Sequence, residues 1–181
     1  SKFLVKSKLN YAENLLSKSD TTKAVTFISE NGYREEKSWK ELNNNALKLV
    51  KFFKDNKIKE KDRIAAYTAN QIETVESFIA SSAIGAIWSS CSPDFGTQGV
   101  IERFSQIKPK LLIITDRYYY NGKEINVLER LPTILKKIKS IKSVLITNYP
   151  GKKNLKQKKI KGIKIFYFNK LKHKVESKIT F

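Results

Sequence analysis

The chain of 181 residues contains no methionine, one cysteine, one histidine, four prolines and seven glycines. A single thiol, Cys91, excludes an intramolecular disulfide and any cysteine metal cluster, so a reducing compartment, the cytoplasm, is expected. His173 stands alone in a lysine-rich tail and has no metal-ligand spacing around it. No window holds the roughly eighteen uncharged apolar residues that a membrane-spanning helix requires. The start, SKFLVKSKLNYAENLL, is broken by lysines too often for a secretory signal. With serine at position 1 and no methionine anywhere, further chain upstream is expected. Also missing are a GxxxxGK[ST] phosphate loop, a GxGxxG turn and a GxSxG nucleophile elbow.

What the chain has in excess is positive charge: 36 lysines and arginines against 17 acids, a formal +19. A basic face releases counterions on meeting phosphates, so a nucleic-acid-binding module is one reading. Against it, the bases comprise 31 lysines and only 5 arginines, whereas phosphate-clamping surfaces favour the planar guanidinium. The excess is also uneven, with 15 basic and 11 acidic residues before position 91 but 21 and 6 from there on. A hydrophobic fraction of 40% with 29% charged residues suits one folded domain, or one large piece of a bigger protein.

Periodicity orders the rest. AVTFIS (24–29) followed by NGY reads as a strand, a tight turn and a second short strand. SWKELNNNALKLVKFFKDN opens with Ser38 and has Glu41 three residues on, the reciprocal capping pair of a helix start. Leu42, Ala46, Leu49, Val50 and Phe53 then form one apolar stripe. RIAAYT predicts a buried strand, and Asn70, with Glu73 three residues later, predicts the start of a helix that ends in small residues. A strand at 86–89, a helix over TQGVIERFSQI closed by Pro109, and the strand KLLIIT follow. DRYYYNGKE reads as a loop, INVLERLPTILKKIKSI as a helix interrupted at Pro132, SVLIT and IKIFYF as strands, and 149–164 as an exposed loop. Strands alternating with helices predict an α/β fold with a largely parallel sheet flanked by helices.

In such sheets ligands gather beyond the carboxyl ends of the strands. Two segments stand there: the run AIWSSCSPDFG (86–96), and YYYNGK (118–123) after KLLIIT. Asn121 and Gly122 make a tight turn that would aim Lys123 at an anion, with tyrosine faces beside it. The alternative is a plain turn whose tyrosines cover the core. Asp94 and Asp116 are expected to hold turns rather than to form a carboxylate pair.

LNYAENLL (9–16), GAIWSSCSPDFG (85–96), RFSQIKPKLLI (103–113) and YNGKE (120–124) together resemble the adenylate-forming acyl-CoA synthetase superfamily, and within it the branch that activates acetoacetate. The likeness runs over most of residues 9–147. It implies that the whole protein would use ATP with Mg2+ to convert acetoacetate to an acyl-adenylate, then transfer the acyl group to coenzyme A. Another short-chain acid is the alternative substrate. In related synthetases the loop aligned with Ile87–Pro93 reads roughly Ile-Phe-Gly-Gly-Phe-Ser-Pro and lies against the nucleotide of coenzyme A, which implies Trp88, Ser89 and Ser90 as cofactor-binding residues. An Arg-x-Gly-Arg turn that holds the cofactor's 3′-phosphate falls on Tyr120 to Lys123, which implies Tyr120 and Lys123, only the latter keeping the charge. By the same resemblance, residues 1–23 would end an N-terminal extension and 24–181 would form the first α/β subdomain of the AMP-binding domain, truncated before the phosphate loop expected after KVESKITF. No catalytic residue is implied within the chain, and the portion alone would be inactive.

Overall fold

A computed structural model describes residues 7–171, except 154 and 158. His173 and the KVESKITF segment lie outside the described residues. At the centre is a five-stranded sheet in the order β4-β3-β5-β8-β9, and every neighbouring pair is parallel. Its strands are β3 (Arg63–Tyr67), β4 (Ile87–Cys91), β5 (Leu111–Thr115), β8 (Ser143–Thr147) and β9 (Lys164–Tyr167). The expected α/β architecture with a parallel sheet flanked by helices is therefore present. LLIIT and SVLIT are buried at every position, as strands covered on both faces must be, whereas β4 and β9 form the partly exposed edges.

Alternation along the strands sorts the core into two layers. Ile64, Ala66, Leu111, Ile113 and Leu145 face helices α2 (Trp39–Asp55) and α3 (Ile72–Ala83). Ala65, Tyr67, Leu112, Ile114, Val144 and Ile146 face the side of α4 (Thr97–Ile107) and α5 (Leu131–Lys137). Each fully buried leucine or isoleucine contributes about 1.5–3 kcal/mol of hydrophobic stabilisation. Helix α2 begins with the expected capping box: Glu41 N donates to Ser38 Oγ at 3.3 Å, and Ser38 N to Glu41 Oε2 at 2.8 Å. The predicted stripe from Leu42 to Phe53 is the face it buries.

A short helix, α1 (Tyr11–Leu15), docks on the small-residue end of α3. Asn10 serves both helices, its Oδ1 accepting from Ala12 N at 2.9 Å while its Nδ2 donates to Ser82 O and Ala83 O, carbonyls of the α3 terminus. Strands β1 (Lys23–Ile28) and β2 (Arg34–Ser38) make the expected hairpin.

Four expectations shift. The cap of α3 is Gln71, not Asn70, and its side chain makes no capping bond because it is turned to Glu73, Thr115 and the carbonyl of Asn148. DRYYYNGKE is not a loop but a second hairpin, β6 (Arg117–Tyr120) with β7 (Lys123–Asn126), closed by Asn121 and Gly122 at φ 50° and 70°. Both central residues are left-handed, as a two-residue type I′ turn requires. Pro132 does not interrupt a helix: it sits in the first turn of α5, where its missing amide has no partner to lose, after a 3-10 turn at Leu128–Arg130. Finally, the described residues of 149–163 form no helix or strand yet are not wholly exposed, because Tyr149 is buried and Leu155, Ile160 and Ile163 pack on the core, and Lys164 already belongs to β9.

Candidate functional site

The carboxyl ends of β3 and β5, and the loops after β4 and β5, form one polar assembly. Tyr67, the last residue of β3, is fully buried, and its hydroxyl donates to Phe95 O at 2.6 Å in the loop after β4. Arg130, at the end of the 3-10 turn, donates from Nη1 to Pro93 O at 2.7 Å, to Phe95 O at 3.3 Å and to the Tyr67 hydroxyl. Burial pushes the Tyr67 phenol up, and the Arg130 guanidinium opposes this without reversing it. Tyr118 of β6 faces the same loop: burial first, then the Asp94 charge, raise its phenol, while Arg130 pulls the other way. The loop is braced internally by Ser92 Oγ donating to Asp94 Oδ2 at 2.8 Å and by Phe95 N donating to Ser92 O at 3.1 Å. Phe95, 44% exposed, lies over the Arg103 guanidinium at 5.0 Å from the ring centre.

The hairpin after β5 is held at its root and open at its tip. Asp116 is fully buried and accepts from Tyr149 N at 2.8 Å, Leu155 N at 3.1 Å and Asn148 Nδ2 at 3.3 Å. Arg117 donates to Glu124 Oε1 at 2.7 Å and to Lys153 O at 2.5 Å, with Asp116 Oδ2 at 3.5 Å. The Tyr119 hydroxyl bonds the other Glu124 oxygen, and these two partners hold the Glu124 carboxyl below its usual value. Asp94 and Asp116 thus hold turns. At the tip, Tyr120 is 59% exposed and pairs in register with exposed Lys123.

The residues expected to bind the cofactor fall into two groups. Trp88, Ser89 and Ser90 lie on edge strand β4, opposite Ile64, Ala65 and Ala66 of β3. Trp88 therefore points to the α2/α3 face, where it meets Phe78 edge-on at 6.0 Å and is half-buried. Ser90 shares that face and is exposed, whereas Ser89 points to the other. The second hairpin packs on that other face through Tyr118, Tyr119 and Ile125. Trp88 and Lys123 thus lie on opposite faces of the sheet, with β3 inserted between β4 and β5. What the fold brings together is the loop after β4 and the hairpin after β5, joined by Tyr67, Tyr118 and Arg130. Sequence reasoning missed Tyr67 and Arg130. Their only signals were an aromatic closing an otherwise small-residue strand and one of few arginines in a chain that favours lysine.

A cavity of about 670 Å³ lies at the other end of the sheet, lined by Asn10, Val50, Ile58, Glu60, Ala83 and Gly85. It flanks the amino ends of β3 and β4, away from the edge where open α/β sheets bind ligands. Among the described residues no group of three His, Cys, Asp or Glu converges to hold a metal ion.

Residues 16–174 match the family described as AMP-binding enzyme. Acetoacetyl-CoA synthetase of Gallus gallus is 41% identical over 145 residues, which are 79% of this chain and 22% of that protein. Acetoacetyl-coenzyme A synthetase of Rhizobium meliloti is 41% identical over 137 residues, 76% of this chain and 21% of that one. The solved structure of acetoacetyl-CoA synthetase from Streptomyces lividans superposes with a TM-score of 0.83 at 25% identity, over 96% of this chain and 26% of that chain. The chain thus spans only 21 to 22% of the length of these curated relatives. Since the family match runs through most of the described residues and the parallel sheet superposes on a solved relative, the chain belongs to the AMP-binding enzyme family.

Proposed function

We propose that the protein is an ATP-dependent acid-thiol ligase joining acetoacetate to coenzyme A, and that this chain is an N-terminal part of it. The carrying observation is the 41% identity, over 145 residues, to a relative named acetoacetyl-CoA synthetase. In this reading an acetoacetate carboxylate oxygen attacks the α-phosphorus of ATP and expels pyrophosphate. The coenzyme A thiol then attacks the acyl carbonyl and expels AMP. The ATP site, with any Mg2+ that accompanies the nucleotide, is assigned to the part of the protein this chain does not include, and no step is routed through a metal here. Residues 1–23 would close an N-terminal extension and 24–181 would form the first subdomain of the AMP-binding domain. Among the described residues no helix is long and apolar enough to cross a membrane, and Cys91 is a buried free thiol, which supports a cytoplasmic setting.

Coenzyme A is the ligand this region would meet. At the hairpin tip the Lys123 ammonium supplies a point charge for a phosphate, and the exposed ring of Tyr120 supplies a stacking face. Ser89 offers a hydroxyl on the hairpin's side of the edge strand, whereas half-buried Trp88 and exposed Ser90, on the opposite face, would meet the cofactor only across the β4 edge.

In the full-length protein, Lys123→Ala is expected to raise the KM for coenzyme A roughly ten-fold, while acetoacetate-dependent pyrophosphate exchange stays within about two-fold. Equal losses in both half-reactions would assign Lys123 to the fold instead. A second reading of the acid is favoured by a relative of Penicillium aethiopicum named malonamoyl-CoA synthetase, 33% identical over 146 residues. Comparing kcat/KM for acetoacetate and malonamate decides between them. The basic nucleic-acid module is not favoured, the matches named here being a synthetase family.

A further inference from the structure

We propose that Arg130 is a positioning residue for coenzyme A, acting through the loop Ser92–Gly96 rather than by touching the cofactor. This rests on the ligase reading above. Loops near a ligand are usually shaped by their own turns, and this one has a proline at position 93 that removes one amide from the supply of internal bonds. Its two inward carbonyls, Pro93 O and Phe95 O, are instead bonded by side chains from elsewhere in the chain. Arg130 donates to both, and the Tyr67 hydroxyl, itself bonded by Arg130, donates to Phe95 O. The guanidinium also lies over the Tyr67 ring at 5.9 Å. Tyr118, the hairpin residue beside Asp94, completes the contact between the two ligand-side loops.

The consequence is geometric. One arginine ties the end of β3, the loop after β4 and, through the segment that leaves β7, the hairpin whose tip carries Tyr120 and Lys123. With the carbonyls of Pro93 and Phe95 drawn inward, the loop presents Asp94 and Phe95 outward. Phe95 is held in turn by Arg103. A guanidinium suits this task because Nη1, which makes all three bonds, is fixed in a rigid planar group that aims its two N–H bonds in set directions, whereas an ammonium turns freely on a flexible stem. Without Arg130 the single Tyr67 hydroxyl proton is left to serve both carbonyls, one of them turns to water, and the loop must be reordered each time the cofactor binds. That cost falls on coenzyme A and not on adenylate formation.

The test uses the full-length protein and three variants. Arg130→Gln is expected to raise the KM for coenzyme A about ten-fold with pyrophosphate exchange within about two-fold of wild type. Arg130→Lys, which keeps the charge but not the fork, recovers part of the loss, and Tyr67→Phe gives a rise of about three-fold. Amide hydrogen exchange at Asp94–Gly96 accelerates in Arg130→Gln, a readout independent of turnover. An unchanged KM for coenzyme A, an equal fall in both half-reactions, or unchanged exchange at Asp94–Gly96 overturns the positioning role while leaving the ligase reading intact. A wild-type protein with no coenzyme A-dependent turnover overturns the ligase reading and this proposal with it. Loss of folding in Arg130→Gln, seen as a collapsed thermal midpoint that Arg130→Lys does not restore, assigns Arg130 to stability and overturns the proposal too.

Discussion

The two hairpins among the described residues both contain Asn-Gly at the turn, yet they do different work. In the β1–β2 hairpin Ser29 N bonds Tyr33 O at 2.9 Å, and Gly32 alone has a positive φ, 79°. Its second strand sends Lys37 inward, where Nζ lies 3.2 Å from Glu76 Oε1, a carboxylate with no exposed surface that also accepts from Asn45 at 2.7 Å. In the β6–β7 hairpin the tighter two-residue turn leaves Lys123 exposed, and the buried charges, Asp116 and Arg117, are at the root. One hairpin is pinned at its far strand to the α2/α3 layer. The other is pinned where it leaves the sheet and free where a ligand could reach it. Turn chemistry alone does not separate the two; the position of the buried charge does.

The largest effect expected from that difference is at the root of the second hairpin. Asp116→Ala removes the acceptor for two backbone amides and one side-chain amide and leaves the buried Arg117 with Glu124 and the carbonyl of Lys153. A loss of about 3–5 kcal/mol is expected in urea unfolding of the full-length protein. At the first hairpin, Lys37→Ala should cost less, about 2 kcal/mol, because the orphaned Glu76 is able to take up a proton. A larger cost for Lys37→Ala than for Asp116→Ala would invert the ranking of the two anchors.

The proton escape makes the first hairpin pH-sensitive. Burial, opposed by Lys37 and Asn45, raises the Glu76 carboxyl from 4.5 to about 7, and burial raises Glu73 as well. A carboxyl with a raised folded value binds its proton more tightly in the native state. Stability therefore falls as pH rises from about 4.5 to about 7 and levels off above that, by roughly 2–3 kcal/mol. Lys37 itself is raised, the carboxylates of Glu76, Glu73 and Glu35 outweighing its burial, and its contribution is lost only above pH 10.5. The lowered carboxyls, Glu36, Glu41 and Asp62, act in the opposite sense below this window. Glu76→Gln should flatten most of the slope between pH 5 and about 7, measured as urea midpoints along a pH series. A slope that survives the substitution would shift the effect to Glu73.

Smaller effects test the turns themselves. A methyl group at Gly32 or Gly122 would meet nothing within 4 Å, so Gly→Ala at either site carries only the left-handed backbone cost of about 1 kcal/mol. Equal midpoint shifts for the two variants would show that the hairpins differ in their anchors and not in their turns. A much larger shift at Gly122 would show that the two-residue turn cannot spread its strain.

The core was legible because burial on both faces leaves little choice: LLIIT is apolar but for its last residue, SVLIT is apolar through its three central residues, and Ser38 with Glu41 has one ready use at a helix start. Pro132 was ambiguous, since proline inside an apolar period either breaks a helix or begins one. YYYNGKE hid its strands because tyrosine suits both a covered surface and a loop. The candidate site was legible only in part. Its two segments could be read from the ends of strands, but their relation depends on β3 sitting between β4 and β5, a long-range pairing that local sequence does not encode. The same holds for Arg130, whose bond to Tyr67 spans 63 positions. The side on which Trp88 falls follows from the register of β4 with β3.

The smallest expected effect is the most telling for the comparison. Lys123→Ala at the tip of the second hairpin should change the stability of the full-length protein by no more than about 0.5 kcal/mol, the usual range for an exposed side chain away from caps and buried networks. The same replacement at Lys37 removes the cation from a buried carboxylate, so two lysines on the second strands of two Asn-Gly hairpins should differ about four-fold or more in what they hold up. Paired urea midpoints at pH 8, where Glu76 is charged, give the sharpest contrast. If Lys123→Ala proved as costly as Lys37→Ala, the tip would be a structural element in its own right. Any rise in the KM for coenzyme A would then reflect a damaged hairpin. A silent stability change joined to that rise leaves the charge itself as the working part.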